Sequence, residues 1–63
     1  MSSKEVIRKL KEAGWEEMPN KGKGSHVRLV GPDNRKTTVP HPKKDLPLGT
    51  LKAIEKQTGV KLT

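Results

Sequence analysis

The sequence predicts a small α+β domain in which two helices cover one face of a three-stranded antiparallel sheet, in the order α-β-β-β-α. Apolar residues recur at helical spacing near both ends of the 63-residue chain. Between them, apolar and polar residues alternate on either side of a turn rich in Pro, Asp and Asn, which is typical of a hairpin. A chain this short has one thin core, so we expect residues 1–63 to form a single domain.

The first helix is predicted to begin at a capping box. Ser2 and Glu5 stand three residues apart, so the Ser2 hydroxyl accepts from the Glu5 amide and the Glu5 carboxylate accepts from the Ser2 amide. Gly14 supplies the left-handed residue that closes many helices. The apolar stripe between these signals consists of Val6, Ile7, Leu10 and Ala13.

Two strands are predicted after the first helix, a short one at the edge of the sheet and a longer one with one apolar face. Residues 15–19 predict a short edge strand, because Pro19 has no amide proton to donate to a ladder. We expect the indole of Trp15 to be buried in the core rather than to stack on a nucleic-acid base, because Trp15 directly follows the end of the first helix. Residues 25–30 predict a second strand, in which His26 and Arg28 share one face and the alternating apolar residues share the other.

A hairpin turn and a third strand follow. Residues 31–34 read Gly-Pro-Asp-Asn, with Pro at the second turn position. The third strand is predicted over residues 35–39, with Thr37 and Val39 facing the core and Lys36 and Thr38 facing away, and Pro40 ends the ladder.

The last helix follows a proline-punctuated connection over residues 41–47. Gly59 is its predicted C-cap, and Lys52 and Lys56 lie together on its outer face. Its predicted apolar stripe consists of Leu48, Leu51 and Ile54, with Thr58 one turn further on.

The charge balance indicates the class of partner. Lys and Arg number 14 against 7 Asp and Glu, which favours a polyanion, nucleic acid first, or an acidic protein. The absence of Cys excludes disulfides and thiolate metal sites. Because no apolar leader or membrane-spanning stretch is present, we expect a soluble, cytoplasmic protein with no membrane association.

A basic, glycine-punctuated loop leads into the second strand and ends at His26. Its glycines allow the backbone to approach a phosphate closely, and Lys21, Lys23 and Arg28 neutralise charge around the same place. Gly-Lys-Gly is also ordinary turn chemistry. The open sheet face, with His26, Arg28 and Lys36, is therefore a candidate RNA-binding surface. We expect Gly24 and Ser25 of the loop to bind RNA beside it.

The chemistry available to such a surface is proton transfer. RNA carries its own nucleophile, the 2′-hydroxyl, so cleavage needs a base, an acid and cations. Neither a metal site nor a cofactor is predicted, because His26 and His41 lie fifteen positions apart without Cys nearby. A Ser-His pair is disfavoured because Ser25 and His26 are adjacent on a strand, and no phosphate-loop or dinucleotide spacing of glycines is present.

The connection after the third strand holds secondary candidates. His41 is either a second acid or base or a loop residue preceding a proline. Lys43 and Lys44 are either a solvated pair or phosphate contacts.

Several motifs, in their order and spacing, resemble the HicA family of bacterial and archaeal toxins, over nearly the whole chain. They are Ala13-Gly14-Trp15, Lys23-Gly24-Ser25-His26, Thr38-Val39-Pro40-His41, Asp45-Leu46-Pro47-Leu48-Gly49-Thr50-Leu51 and Ile54-Glu55-Lys56-Gln57-Thr58-Gly59-Val60. Two departures from the family pattern are His41, which follows the Val-Pro pair directly, and Leu29, which stands near the place where many members have an aromatic.

The resemblance implies a fold like the double-stranded RNA-binding domain and a metal-independent ribonuclease that cuts mRNA, with His26 as its catalytic acid or base. It also implies an antitoxin, HicB, that covers the active site, and we expect the toxin alone to be monomeric. Two alternatives stay open: a non-catalytic RNA-binding module, and a basic domain that binds an acidic protein.

Overall fold

The computed structural model describes residues 1–19 and 26–63. The predicted contributions of Lys21, Lys23, Gly24 and Ser25 lie outside the described residues. The elements are α1 (Ser3–Glu12), β1 (Glu16–Glu17), β2 (His26–Val30), β3 (Lys36–Pro40) and α2 (Leu48–Thr58). This order confirms the predicted α-β-β-β-α arrangement.

The first helix begins at the predicted capping box. The Glu5 amide donates to the Ser2 hydroxyl over 3.2 Å, and the Ser2 amide donates to the Glu5 carboxylate over 3.3 Å. The Ser2 amide and the Ser2 hydroxyl both donate to the Glu5 carboxylate, and these two hydrogen bonds hold the pKa of Glu5 below its ordinary value because they favour the charged form. The helix ends at Glu12 with Ala13 as its C-cap, and Gly14 follows with a φ of 98°. Because the chain turns away there, Ala13 is exposed, and its predicted place in the apolar stripe is wrong.

The three strands form an antiparallel sheet in the order β1-β2-β3. The first strand is shorter than the predicted residues 15–19, because Trp15 enters the core instead of the ladder. Pairing continues for one bond beyond β1, where the Met18 amide donates to the Arg28 carbonyl over 2.7 Å.

The hairpin between β2 and β3 has the predicted proline in its second position. The Asn34 amide donates to the Gly31 carbonyl over 3.1 Å, and the Gly31 amide donates to the Arg35 carbonyl over 2.7 Å. Asn34 has a φ of 66°, as in three-residue hairpin loops that end in a left-handed residue. Arg35 closes this loop, so β3 starts one residue later than predicted and runs through Pro40, the partner of His26.

Both helices pack against one face of the sheet and leave the other face open. The alternation predicted for β3 is confirmed, since Thr37 and Val39 are buried while Lys36 and Thr38 are exposed. The helix α2 ends at Thr58, and Gly59 is its C-cap, as predicted, with a φ of 74°. Leu48 is 57% exposed at its first position, so the predicted stripe begins at Leu51 instead. The buried apolar core consists of Val6, Ile7, Leu10, Trp15, Leu29, Val39, Leu46, Leu51, Ile54 and Leu62.

Within residues 1–19 and 26–63, neither helix is long and apolar enough to cross a membrane.

Candidate functional site

The register of the sheet places the predicted site residues on its open face. His26 pairs with Pro40, Arg28 with Thr38, and Lys36 with Val30. His26, Arg28 and Val30 alternate along β2 and so point to one face. Lys36 points to the same face because it lies directly opposite Val30. His26, Arg28 and Lys36 are all exposed. Arg28 lies about 7 Å along the strand from His26 and about 7–8 Å diagonally from Lys36. The predicted grouping of one imidazole with two cations is therefore present.

A hollow of about 190 Å³ is lined by residues of both faces of the sheet, with Arg28 and Lys36 from the open face and Leu29 and Thr37 from the covered one. Met18, Thr38 and Gln57 of α2 complete its walls. Gln57 is held in place because it accepts a 2.7 Å hydrogen bond from the Thr37 hydroxyl. The hollow matches a phosphate in charge, since both its ionic groups are cationic.

A second groove, of about 370 Å³, lies at the end of the β2–β3 ladder and is lined by both histidines of the chain. His26 is opposite Pro40, and His41 follows Pro40 directly. The two histidines, far apart in sequence, therefore border the same groove at the end of the β2–β3 ladder. The same groove is also lined by Lys43 and by Thr50, which lies in the first turn of α2.

His41 is anchored to the first residue of α1. Its Nδ1 lies 2.8 Å from the Ser3 hydroxyl oxygen. The same oxygen accepts a hydrogen bond from the Lys43 amide over 3.0 Å and lies 3.2 Å from the Lys43 carbonyl oxygen. Ser3 is 1% exposed and His41 is half-buried. The ring is thus fixed against the body of the domain.

The rest of the connection is tied to the N-terminus. The N-terminal ammonium lies 3.0 Å from the Asp45 carboxylate, and the Leu46 amide donates to the Met1 carbonyl over 2.8 Å. Leu46 is buried in the core. These contacts hold the strand-to-helix connection, and with it Lys43, against the start of α1.

Of the other predicted residues, Lys43 lines the groove shared by the two histidines, whereas Lys44 borders a neighbouring surface hollow with Ser2 and Lys4. Sequence reasoning missed Ser3 and Thr50. A signal for Ser3 was present, since it precedes Val6 and Leu10 by three and seven positions and so lies in the apolar stripe of α1. A polar residue in such a stripe needs a hydrogen-bond partner, here one that is far away in sequence.

Among residues 1–19 and 26–63, no three His, Cys, Asp or Glu side chains gather in a way that could hold a metal ion.

Comparison with known proteins identifies the family. The sequence model of the family described as "HicA toxin of bacterial toxin-antitoxin" matches residues 3–60. The chain is also similar to a solved structure described as a HicA3 and HicB3 toxin-antitoxin complex, with a TM-score of 0.80, 38% sequence identity and all of both chains covered. No protein with a curated description matches significantly. The chain belongs to the HicA toxin family.

Proposed function

We propose that this chain is a toxin that cuts mRNA without a metal ion and that His26 is its catalytic proton-transfer residue. The observation that carries the proposal is the placement of His26, which is exposed at the end of β2 on the face that also presents Arg28 and Lys36. An imidazole beside cations supplies one proton-transfer group and the positive charge that RNA cleavage needs.

The proposed reaction uses the RNA as its own nucleophile. The 2′-oxygen forms a bond to phosphorus, its proton leaves to a base, and the bond from phosphorus to the 5′-oxygen breaks as that oxygen gains a proton. His26 takes part in one of these two proton transfers. Arg28, two residues along β2 from His26, stabilises the negative charge that develops on the phosphoryl oxygens.

RNA binding is proposed to follow the cations around this site. Arg28 and Lys36 hold backbone phosphates on the open face, and Lys43 does so at the groove. Lys21 and Lys23 are proposed as further phosphate contacts, with Gly24 and Ser25 offering their backbone amides.

A HicB-like antitoxin is the proposed protein partner. The structurally similar protein of the HicA3–HicB3 complex has such a partner, and the net charge of +7 on this chain suits an acidic one. An antitoxin that covers the open face would block RNA and neutralise the same cations.

The proposal is tested by expressing three versions of the chain in bacteria that lack the antitoxin. Wild type is expected to stop growth, and His26→Ala is expected not to, while its circular dichroism stays that of wild type. Lys52→Ala is the matched control and is expected to stop growth as wild type does. Lys52 is an exposed cation, but it lies on α2, which packs on the covered side of the sheet. Growth arrest by His26→Ala as strong as by wild type would contradict the catalytic role. RNA binding without cleavage or arrest by wild type would identify a non-catalytic module.

A further inference from the structure

We propose that His41 is a second catalytic residue, which exchanges a proton with the RNA at Nε2 while His26 handles the other transfer. This inference rests on the proposed ribonuclease function and extends it from one histidine to a pair. It begins from the groove at the end of the β2–β3 ladder, which both histidines line. Cleavage at a phosphodiester requires both a base and an acid, and one imidazole cannot be both in the same step.

The hydrogen bonds of Ser3 define which ring nitrogen of His41 is available. Only one hydroxyl proton is present for the three contacts that the Ser3 oxygen makes. One arrangement of protons makes all three contacts hydrogen bonds at the same time. In it, the hydroxyl donates to the Lys43 carbonyl and accepts from both the Lys43 amide and His41 Nδ1–H. In that arrangement Nδ1 keeps its proton, so Nε2 is the nitrogen that gains or loses one.

The same arrangement serves both charge states of the ring. A neutral imidazole with its proton on Nδ1 and an imidazolium both donate from Nδ1, so Ser3 need not rotate when Nε2 takes up or releases a proton. Ser3 itself is fixed, because it is 1% exposed and its own amide donates to the Lys43 carbonyl over 3.0 Å. We therefore assign Ser3 as the positioning residue of His41, comparable to the groups that orient catalytic histidines elsewhere.

The charged surroundings of His41 come from α1, from β1 and from the connection after β3. Lys4 of α1 and Glu17 of β1 border one hollow that His41 lines, and Lys43 and Lys44 of the connection border two others that it also lines. The cations outnumber the carboxylate, so an RNA phosphate is attracted to the ring.

The balanced step uses the two histidines in opposite charge states. One imidazole accepts the 2′-hydroxyl proton as the 2′-oxygen bonds to phosphorus. The other, an imidazolium, donates a proton to the 5′-oxygen as its bond to phosphorus breaks. The products are a 2′,3′-cyclic phosphate and a 5′-hydroxyl, and exchange with water restores both rings. No oxidant, metal or further reactant is consumed.

The test compares His41→Asn and His26→Asn on two substrates. Asparagine keeps an N–H near the position of Nδ1, so it retains the bond to Ser3 but cannot transfer a proton. On an ordinary RNA with one mapped cleavage site, each variant is expected to lower kcat by about 10²–10⁴-fold. The second substrate has sulfur in place of the scissile 5′-oxygen, and this leaving group needs no acid. One variant, the one that lacks the acid, is expected to recover on sulfur while the other stays slow.

The outcomes distinguish catalysis by both histidines from catalysis by His26 alone. If His41→Asn cleaves ordinary RNA at the wild-type rate, or if the sulfur substrate rescues both variants or neither, His41 is not the proton-transfer partner. If wild type cleaves neither substrate, the ribonuclease function itself fails. Ser3→Ala is expected to lower kcat with KM unchanged, and loss of stability without loss of kcat would contradict its positioning role.

A measurement on the wild-type protein does not depend on how the variants fold. In ¹⁵N-labelled protein at neutral pH, the nitrogen shifts of neutral His41 are expected to show a protonated Nδ1 and an unprotonated Nε2. A protonated Nε2 with an unprotonated Nδ1 would contradict the proposed hydrogen bond from His41 Nδ1–H to the Ser3 hydroxyl.

Discussion

At the scale of single residues, the contact between Trp15 and Gly31 explains how one indole fills a thin core. Trp15 is 4% exposed, and a Cβ added at Gly31 would lie 2.8 Å from two carbons of its ring. The burial of Trp15 could be predicted, because it follows a helix end in a chain with no other aromatic. Its contact with Gly31 could not, since the turn sequence alone explains a glycine there.

Gly31→Ala is therefore expected to destabilise the fold by about 1–3 kcal/mol, as overpacking does. The matched control is Gly49→Ala in the first turn of α2, where an added Cβ meets nothing within 4 Å. That substitution is expected to stabilise by about 0.5–1 kcal/mol, since alanine favours helix. Thermal unfolding followed by the fluorescence of the single Trp measures both. Equal melting temperatures for the two variants would contradict the packing described.

Also at the residue scale, Arg28 is expected to act on binding and on charge stabilisation rather than on proton transfer. Arg28→Gln should raise KM for RNA and reduce the slope of log affinity against log salt by about 1, because one phosphate contact is lost. Arg35→Gln is the control, since Arg35 lies 2.9 Å from Asp33 in the hairpin turn, away from the open face. An unchanged salt slope for Arg28→Gln would place RNA elsewhere.

At the scale of elements, α2 holds the C-terminal tail through one carboxylate. The Leu62 amide donates to Glu55 over 2.5 Å and the Thr63 amide over 2.8 Å. These two backbone hydrogen bonds lower the pKa of Glu55 from its ordinary value of 4.5. They also direct the Leu62 side chain, 5% exposed, into the core. A tail was predicted after Gly59, but its docking was not, because the partner is seven residues earlier on an otherwise ordinary helix face.

The sign of the resulting pH dependence follows from the lowered pKa. A carboxylate that is easier to ionise when folded stabilises the protein above its unfolded pKa, and the stabilisation is lost as the pH falls through the folded value. Glu55→Gln should thus lower the melting temperature at pH 7, and the difference from wild type should shrink below about pH 4.5. Glu12→Gln, at the exposed end of α1, is the charge control. A difference that grew on acidification would contradict this account.

At the scale of the whole molecule, the order of elements could be predicted because local signals agree with one another: a capping box, period-two alternation, a proline turn and a C-cap glycine. The open face with His26, Arg28 and Lys36 followed from the alternation alone. The groove shared by His26 and His41 could not be predicted, because it depends on which residue lies opposite His26 and on a serine 38 positions before His41. Register and long-range side-chain contacts are tertiary properties.

Rates of RNA cleavage by purified wild type and His26→Ala, in buffer with a metal chelator, test the central claim most directly. We predict that wild type leaves 2′,3′-cyclic phosphate ends and that His26→Ala, folded as judged by Trp15 fluorescence, is slower by about 10²–10⁴-fold. Wild-type cleavage that stops when metal is removed, or a folded His26→Ala that cleaves as fast as wild type, would contradict the account.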